Sequence, residues 1–246
     1  MTRPLQDQVA IVTGAARGIG FGIAQRLAAE GCRVVIWDID TRPFDPQKAG
    51  FTPTLMLDVN VADHASVAQA LAATQAVTGH VDILVNNAGV NGPVVPSWDY
   101  PLDDWDRVIA VDLSGVFYCC RAVLPGMRER GHGRIINVAS IAGKEGVPGI
   151  APYSAAKAGV IGLTKSIARE VTDCGVLVNA IAPVITETEL FKEMTEQHIT
   201  NMKAKIPMGR FLKIDEIAAM VAFIAGPDCS FTTGFVFDLS GGRADY

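Results

Sequence analysis

Residues 9–20 read VAIVTGAARGIG, a short β-branched run followed by three glycines within seven residues. The run Val9–Thr13 is typical of a buried parallel strand that ends at Gly14. Residues 21–30 then have a helical pattern closed by Gly31. Glycines let the backbone approach a pyrophosphate, and a helix N-terminus favours its negative charge. The segment therefore predicts a dinucleotide site, although a ligand-free tight turn is the alternative for this motif alone.

The next strand-like run is RVVIWD, residues 33–38, which ends on Asp38. This residue follows the glycine turn by about 20 positions, the spacing of an acidic group that binds a cofactor ribose. A carboxylate there accepts hydrogen bonds from both ribose hydroxyls and repels a 2′-phosphate. Asp38 therefore predicts NAD rather than NADP. The alternative is an ordinary turn-forming residue at the end of a strand.

A second informative segment is YSAAK, residues 153–157, with Ser140 upstream at the end of the run NVAS. In a helix, Tyr153 and Lys157 stand four residues apart on one face. An ammonium near a phenol favours the phenolate, so this pair can take a proton from an alcohol or return one to a ketone. The Ser140 hydroxyl can stabilise the charge that develops on the same substrate oxygen. Taken alone, such a pair is more typical of an exposed helix surface.

Three motifs occur in order along the chain: the glycine turn of residues 13–20, the segment NNAG of residues 86–89, and the set Ser140, Tyr153 and Lys157. This pattern resembles the short-chain dehydrogenase/reductase family over nearly the whole chain, and the spacing Gly-x-x-x-Gly-x-Gly is the variant that this family uses. The resemblance implies hydride transfer between a nicotinamide and a secondary alcohol or ketone. It makes Tyr153 the acid/base, while Lys157 also binds the nicotinamide ribose and Ser140 positions the substrate oxygen.

The resemblance also implies cofactor contacts elsewhere in the chain. Asp58 would bond the adenine amino group, Val59 would line the adenine pocket, and Asn87 would have mainly structural bonds. Thr188 matches a threonine that bonds the nicotinamide carboxamide, but Val184 replaces the usual glycine and leaves the local backbone geometry open. The predicted cofactor-binding residues are Gly14, Arg17, Gly18, Ile19, Gly20, Asp38, Asp58, Val59, Asn86, Ala88, Gly89, Tyr153, Lys157, Pro183, Thr186 and Thr188.

The chain departs from the family at Asp112, where an asparagine usually completes a catalytic tetrad by holding a water bound to the lysine. The two side chains are nearly isosteric, but a carboxylate cannot donate a hydrogen bond and strengthens the field that keeps Lys157 protonated. We expect Asp112 to keep the water relay, and we predict that Ser140, Tyr153, Lys157 and Asp112 are the catalytic residues. A merely structural aspartate is the alternative.

Length and composition indicate one unit. The 246 residues are 49% hydrophobic and 19% charged, without a linker, which predicts a single domain over residues 1–246. Alternating strands and helices predict an α/β fold, a three-layer doubly wound parallel sheet of the Rossmann type with about seven strands. Residues 39–54 are predicted to be a polar loop, residues 102–130 two helical stretches, and residues 185–212 a lid over the substrate.

Charge and cysteine usage exclude several classes of partner. The net charge of −5 and the pI near 5.4 argue against nucleic acid and anionic membranes. The N-terminal residues lack the apolar core of a signal peptide, and no apolar run reaches the about 20 residues of a membrane span. Five scattered cysteines without metal-ligand spacing predict buried reduced thiols and no metal. We expect a cytoplasmic protein with a small polar substrate, and the resemblance implies a homotetramer.

The substrate is predicted from the polar rim of the site. Lys144 and Glu145 follow the catalytic serine and Arg210 follows the lid, which favours a sugar, a polyol or a 2-keto-3-deoxy sugar acid. In a sugar acid, Lys144 or Arg210 can pair the carboxylate, although each is more often a solvated surface charge.

Two other functions stay open. An NADPH-dependent 3-oxoacyl-[acyl-carrier-protein] reductase is favoured by Arg17, which resembles a residue of some NADP-dependent relatives but is also common in NAD enzymes. Asp38 disfavours it, as do Gly131 and Cys174, which stand where we align arginines of a patch that binds the carrier. A non-catalytic NAD-binding scaffold or sensor is the alternative of another class. The intact Ser140, Tyr153 and Lys157 argue against it, and Asp112 argues slightly for it.

Overall fold

A computed structural model describes residues 4–186 and 196–244. In this part of the chain, the strands are β1 (Val9–Thr13), β2 (Arg33–Asp38), β3 (Leu55–Asp58), β4 (Ile83–Asn86), β5 (Gly133–Val138), β6 (Val176–Pro183) and β7 (Val236–Leu239). They form one parallel sheet in the order β3-β2-β1-β4-β5-β6-β7. The strand order reverses between β1 and β4, and ligands bind at the carboxyl ends of strands at such a point. The predicted doubly wound sheet is confirmed.

Two large apolar clusters cover the two faces of this sheet. The helices are α1 (Gly18–Ala29), α2 (Pro46–Ala49), α3 (His64–Thr78), α4 (Leu102–Ile109), α5 (Gly115–Arg130), α6 (Ile141–Glu145), α7 (Ala151–Glu170), α8 (Glu196–Lys203) and α9 (Ile214–Ala225). Ala10 and Val12 of β1 pack with α1 and α9, whereas Val9 and Ile11 pack with α3, α5 and α7. This alternation follows from the two-residue repeat of a strand and produces the three predicted layers.

Residues 39–54 are not only the polar loop that the sequence predicts. They contain α2, whose N-terminus is capped by the Asp45 carboxylate through the amides of Gln47 and Lys48. The preceding Phe44 is buried, with its ring centroid 5.4 Å from that of Phe21. Asp45 followed by Pro46 is a helix-start signal, and here it stands in a short and otherwise polar segment.

The two helical stretches predicted over residues 102–130 are confirmed, and a π-helical turn over residues 110–114 joins them. By length and composition alone, the combined helix Leu102–Arg130 is apolar enough to cross a membrane. Its buried residues, which include Val116, Cys120 and Met127, pack against the sheet. A core helix meets the same criterion, and this packing accounts for part of the apolar composition, since 39% of the most apolar 18-residue stretch is buried.

Candidate active site

The turn between β1 and α1 brings backbone atoms unusually close together. Gly14 and Gly18 both have a φ of +62°, which disfavours any residue with a Cβ. A Cβ on Gly20 would collide with the Gly14 carbonyl oxygen, so this glycine lets α1 begin directly on the turn. The helix starts at Gly18, earlier than the sequence pattern indicates, and its N-cap Arg17 gives it no side-chain hydrogen bond. Its first amides are therefore not capped by a side chain and suit an anion.

Asp38 lies beside this turn, as its spacing predicts. Its Oδ2 accepts a hydrogen bond of 2.9 Å from the Ala16 amide, and its Oδ1 accepts one of 3.2 Å from the Asp40 amide. A Cβ added to Gly18 would have no atom within 4 Å, and the neighbouring Arg17 is exposed. The open turn, the uncapped helix and the fixed carboxylate fit a dinucleotide whose nearby ribose has free hydroxyls.

The end of β4 is tied to the end of β1 by backbone and side-chain bonds. Asn87 Nδ2 donates to the carbonyl oxygens of Thr13 and Gly14, each at 2.9 Å. Thr13 Oγ1 accepts from the amides of Asn87 and Ala88, each at 3.0 Å. A Cβ on Gly14 would lie 2.8 Å from the Ala88 Cα, so the two segments are packed directly against each other. Asn87 therefore has the structural bonding that the resemblance implies.

The side chain of Asn86 has a different environment from the one expected of a cofactor ligand. It is buried, and its Nδ2 donates to Asn137 Oδ1 at 2.9 Å and to Cys120 Sγ at 3.3 Å. Asn137 Nδ2 donates in turn to Thr164 Oγ1 at 2.9 Å. This chain of bonds links β4 and β5 to α7. Any contact of Asn86 with a cofactor is thus left to its backbone atoms.

The adenine side of the predicted site is formed by the end of β3. Val59 is buried and Asp58 is exposed. Asp58 Oδ1 accepts hydrogen bonds of 2.9 Å and 2.8 Å from the amide and the hydroxyl of Thr41. These bonds hold the pKa of Asp58 below its usual value, so the carboxylate is charged at neutral pH. A charged acceptor at this position suits the predicted bond to an adenine amino group.

Ser140 and the Tyr153–Lys157 pair come from adjacent elements at the carboxyl end of β5. Ser140 is the N-cap of α6, and its Oγ accepts a hydrogen bond of 3.1 Å from the Ala142 amide. Tyr153 and Lys157 lie on α7, with Lys157 Nζ 5.5 Å from the centre of the Tyr153 ring. The buried ammonium also donates to the Val138 carbonyl oxygen at 3.0 Å. Accepting from Ala142 leaves the serine hydroxyl its own hydrogen to donate to a substrate oxygen.

The π-helical turn of residues 110–114 brings the Asp112 carboxylate to the same lysine. Asp112 Oδ2 lies 3.3 Å from Lys157 Nζ, and the two side chains are 0% and 4% exposed. Asp112 Oδ1 accepts a hydrogen bond of 2.8 Å from the Val90 amide. Burial raises the pKa of Asp112, and the Lys157 ammonium opposes that rise. A Cβ on Gly89 would lie 2.9 Å from Oδ2, so Gly89 makes room for the carboxylate.

The sequence predicted a water relay at Asp112 and did not predict this direct ion pair. The ion pair adds to the relay, which itself stays a prediction. Two further residues of the site were not predicted. Asn137 links Asn86 to Thr164. Gly143 lets α6 approach α7, because a Cβ there would lie 2.6 Å from the Lys157 carbonyl carbon. A buried asparagine in a predicted strand and a glycine three residues after the serine are the signals that mark them.

The predicted nicotinamide side is only partly described. Pro183 ends β6 and is buried. The buried Thr186 donates from Oγ1 to the Val184 carbonyl oxygen at 3.2 Å and forms a β-bridge with Leu212. Thr188 lies outside the described residues, as does part of the predicted lid. The described part of that segment contains α8.

The two cations expected to pair a substrate carboxylate already pair with carboxylates of the protein. Lys144 Nζ lies 3.3 Å from Asp238 Oδ2. Arg210 forms a bidentate pair with Glu216 at 2.8 and 2.6 Å, which lowers the pKa of Glu216 to about 2. Since each cation is neutralised locally, neither is poised for a substrate carboxylate in this structure.

Three of the five cysteines are buried. Cys119, Cys120 and Cys229 are buried free thiols, whereas Cys32 and Cys174 are only half-buried, which corrects the expectation of five buried thiols. Burial raises the pKa of Cys120 to about 12, so it stays a protonated thiol at neutral pH. Among residues 4–186 and 196–244, no group of three or more histidine, cysteine, aspartate or glutamate side chains is placed to hold a metal ion.

A glycine turn beside an acidic strand end, with a serine after β5 and a tyrosine and a lysine on α7, defines a dinucleotide-dependent oxidoreductase. The family model described as enoyl-(acyl carrier protein) reductase matches residues 14–243. The chain therefore belongs to the short-chain dehydrogenase/reductase family.

Relatives and solved structures cover nearly the whole chain. The chain is 46% identical to a 2-dehydro-3-deoxy-L-rhamnonate dehydrogenase (NAD(+)) of Sphingomonas sp. (strain SKA58), over 96% of this chain and 95% of that protein. It is 38% identical to a 3-oxoacyl-[acyl-carrier-protein] reductase of Escherichia coli (strain K12), over 96% and 97% of the two chains. The structure of an NAD+-bound xylitol dehydrogenase superposes with a TM-score of 0.91 at 30% identity, over 97% and 99% of the two chains.

Proposed function

We propose that this protein is an NAD-dependent dehydrogenase that interconverts the alcohol and ketone forms of a 2-keto-3-deoxy sugar acid. The observation that carries the proposal is the Asp38 carboxylate, which the Ala16 amide holds beside the glycine turn at 2.9 Å. It favours free ribose hydroxyls over a 2′-phosphate. The 46% identity to an NAD-dependent sugar-acid dehydrogenase supports the substrate class.

The residues of the chain divide the chemistry among them. Tyr153 takes the proton of the substrate hydroxyl, and Ser140 donates a hydrogen bond to the same oxygen. Lys157, held by the Val138 carbonyl and by Asp112, supplies the positive charge that favours the phenolate. The dinucleotide, which the glycine turn and Asp38 would hold, would supply the hydride acceptor through its nicotinamide. Holding that carbon in place contributes about 7–11 kcal/mol of the lowered barrier in well-oriented systems.

The carrier-protein reductase is the second candidate within the enzymes. Its support is the exposed Arg17 beside the glycine turn and the 38% identity to such a reductase. Asp38 opposes it because a 2′-phosphate brought next to this carboxylate is repelled. The non-catalytic scaffold is opposed by the arrangement of Ser140, Tyr153 and Lys157.

A spectrophotometric screen tests the proposal. Purified protein is assayed with NAD and, separately, NADP against 2-keto-3-deoxy sugar acids, aldoses, polyols and simple alcohols. A 3-oxoacyl thioester is assayed in the reverse direction. The proposal expects NAD-linked oxidation of a sugar acid, and activity with NADPH and the thioester alone would replace it with the carrier-protein reductase. Absence of turnover in both the wild type and Tyr153→Phe, with NADH binding intact in both, would favour the scaffold.

We also propose a homotetramer with D2 symmetry, in which two distinct surfaces each pair with themselves. Support for one surface comes from the edge of β7, where Phe235 is 55% exposed and its ring centroid lies 5.0 Å from that of Phe237. Support for the other comes from the face of α5, where Phe117 is 44% exposed. Light scattering should give a tetramer for the wild type and a dimer for Phe235→Asp. The cytoplasmic location and the absence of nucleic-acid and membrane partners stay predictions from the sequence.

A further inference from the structure

The short helix α6, whose N-cap is Ser140, is held by two ion pairs from a distant segment. This segment is residues 238–244, which we call the brace. Lys144 Nζ lies 3.3 Å from Asp238 Oδ2, and the lysine side chain is only 8% exposed. Glu145 Oε2 accepts a hydrogen bond of 2.6 Å from Arg243 Nη2, and Arg243 Nε donates to Oε1 at 3.2 Å and to Oε2 at 3.0 Å. The side chains of Arg243 and Glu145 are 16% and 27% exposed. Partial burial and bidentate geometry make this pair stronger than an ordinary surface pair.

The brace is itself ordered by short internal hydrogen bonds. Ser240 is fully buried, and its Oγ donates to Asp238 Oδ1 at 2.6 Å and accepts from the Ala244 amide at 3.0 Å. Burial alone raises the pKa of Asp238, but the bonds from Ser240 and Lys144 outweigh it and hold the pKa below its usual value. Asp238 is therefore a charged partner for Lys144 at neutral pH.

The brace also contacts residues 206–208, which belong to the described C-terminal part of the predicted lid. The Gly241 carbonyl oxygen accepts a hydrogen bond of 3.1 Å from the Met208 amide. Ala244 packs on the apolar cluster of Ile141, Val184 and Ile206, which joins α6, the end of β6 and residue 206. The brace therefore lies between α6 and residues 206–208.

A helix of five residues such as α6 cannot hold its own geometry. Its orientation, and with it that of its N-cap Ser140, depends on tertiary contacts. We propose that Arg243 is a positioning residue, which acts through Glu145 to hold α6 and so aims the Ser140 hydroxyl at the substrate oxygen. This inference rests on the proposed dehydrogenase function, because it assigns Ser140 its catalytic task.

The kinetic test compares wild type, Arg243→Gln, Glu145→Gln and the double variant on the alcohol that the wild type oxidises best. We expect kcat to fall about tenfold in each single variant, since small misplacements of reacting groups cost this much or more, while the KM for NAD stays unchanged. The double variant should be no worse than either single variant, because both remove the same contact. Arg243→Lys should retain part of the activity. Additive losses, or a wild-type kcat in Arg243→Gln, would overturn the proposal.

A matched control is the Arg26–Glu30 pair on α1, which has a 2.7 Å contact and lies outside the site. Arg26→Gln should leave kcat unchanged. Hydrogen exchange supplies a readout that needs no substrate. The amides of Ala142, Gly143 and Gly146, bonded within the serine turn, should exchange faster in Arg243→Gln and normally in Arg26→Gln. If Arg243→Gln shows unchanged amide exchange and an unchanged melting temperature, Arg243 does not hold α6 and the inference is refuted. If exchange is faster but the wild type does not oxidise sugar acids, only the substrate assignment is refuted.

Discussion

The cofactor half and the substrate half of this site are built in different ways. Around the glycine turn, backbone meets backbone, and the contacts that fix Asp38 join residues 22 apart in sequence. Around Ser140, side-chain ion pairs join residues 94 and 98 apart, as in Lys144–Asp238 and Glu145–Arg243. A backbone approach demands glycine and leaves a mark in the sequence, whereas an ion pair can use any of many charged residues. The cofactor half can therefore be read from its glycines, even where its bonds are long-range, as between Asn87 and Thr13, 74 residues apart. The ion pairs of the substrate half have no such mark in the sequence.

Removing the acid/base group should have the largest effect, because it should abolish most turnover and leave cofactor binding intact. Tyr153→Phe deletes the hydroxyl that exchanges the proton while leaving the glycine turn intact. We expect kcat to fall by about 10²–10⁴-fold, the usual contribution of a general acid/base. The dissociation constant of NADH, measured by fluorescence titration, should change little. A variant that loses NADH binding and turnover together would show that the halves are not independent.

A change in the cofactor half should act through the backbone. In Gly20→Ala, the added methyl group meets the Gly14 carbonyl oxygen and Asn87 Nδ2, so α1 must shift away from the turn. We expect overpacking to cost about 1–3 kcal/mol of unfolding free energy and to weaken NADH binding. Gly162→Ala is the matched control, because this α7 glycine has no atom within 4 Å of an added Cβ and should gain stability. Chemical denaturation of both variants measures the difference.

Cofactor choice should depend on the carboxylate of Asp38. Asp38→Ala removes the acceptor for the ribose hydroxyls and the charge that repels a 2′-phosphate. Hydrogen bonds to a charged group are worth about 1.5–3 kcal/mol, so the preference for NAD over NADP should fall by about 10–150-fold. The ratio of kcat/KM for the two cofactors measures it. An unchanged ratio would mean that another residue reads the ribose.

The Asp112–Lys157 pair should make stability depend on pH in a defined direction. Burial raises the folded-state pKa of Asp112, so the native protein binds a proton more tightly than the unfolded chain. This contribution is fully present below the unfolded value of about 3.9 and is lost as pH rises through the raised folded pKa. Relative to Asp112→Asn, the wild type should lose stability across that window in thermal melts. Identical pH–rate profiles of the two proteins would show that the carboxylate has no part in catalysis.

The smallest effect is expected at Arg210. Its partner Glu216 neutralises it, and the two side chains are 47% and 37% exposed. Arg210→Gln should therefore leave the KM for a carboxylate substrate within about twofold of the wild-type value. A large rise in that KM would show that the cation leaves Glu216 to bind substrate, and would place part of the substrate half outside the contacts described above.

The sequence predicts the parts of the site where backbone geometry or the repeat of a strand or helix restricts the residue type. The glycine turn, the alternation of strands and helices and the neighbouring Asp38 follow from the spacing of glycines and buried runs, and the structure has the predicted doubly wound sheet. The Tyr153–Lys157 spacing places both residues on one helix, and they do lie on α7. These features share short-range causes, a strand repeat of two and a helix repeat near 3.6.

The ion pairs of the site were not predicted, because each depends on residues that only the folded chain brings together. Nothing in the sequence around Lys144 or Arg210 tells which carboxylate will approach. The sequence left each of them as a partner of a substrate carboxylate or a solvated surface charge, and the fold pairs them with Asp238 and Glu216. The direct contact of Asp112 with Lys157 depends on the π-helical turn, and no residue pattern predicts that turn. The short helix α2 was overlooked for another reason, since its capping signal stands in an otherwise polar segment.

The turn over residues 110–114 also limits how this protein can be redesigned. An α-helix advances about 100° per residue, and a π-helical turn accommodates one extra residue without disturbing the helix on either side. Deleting a single residue there would produce a regular helix and would improve its local hydrogen bonding. It would also rotate Asp112 away from Lys157 or turn the buried face of α5 away from the sheet. A stabilising redesign of this helix must therefore keep its irregularity.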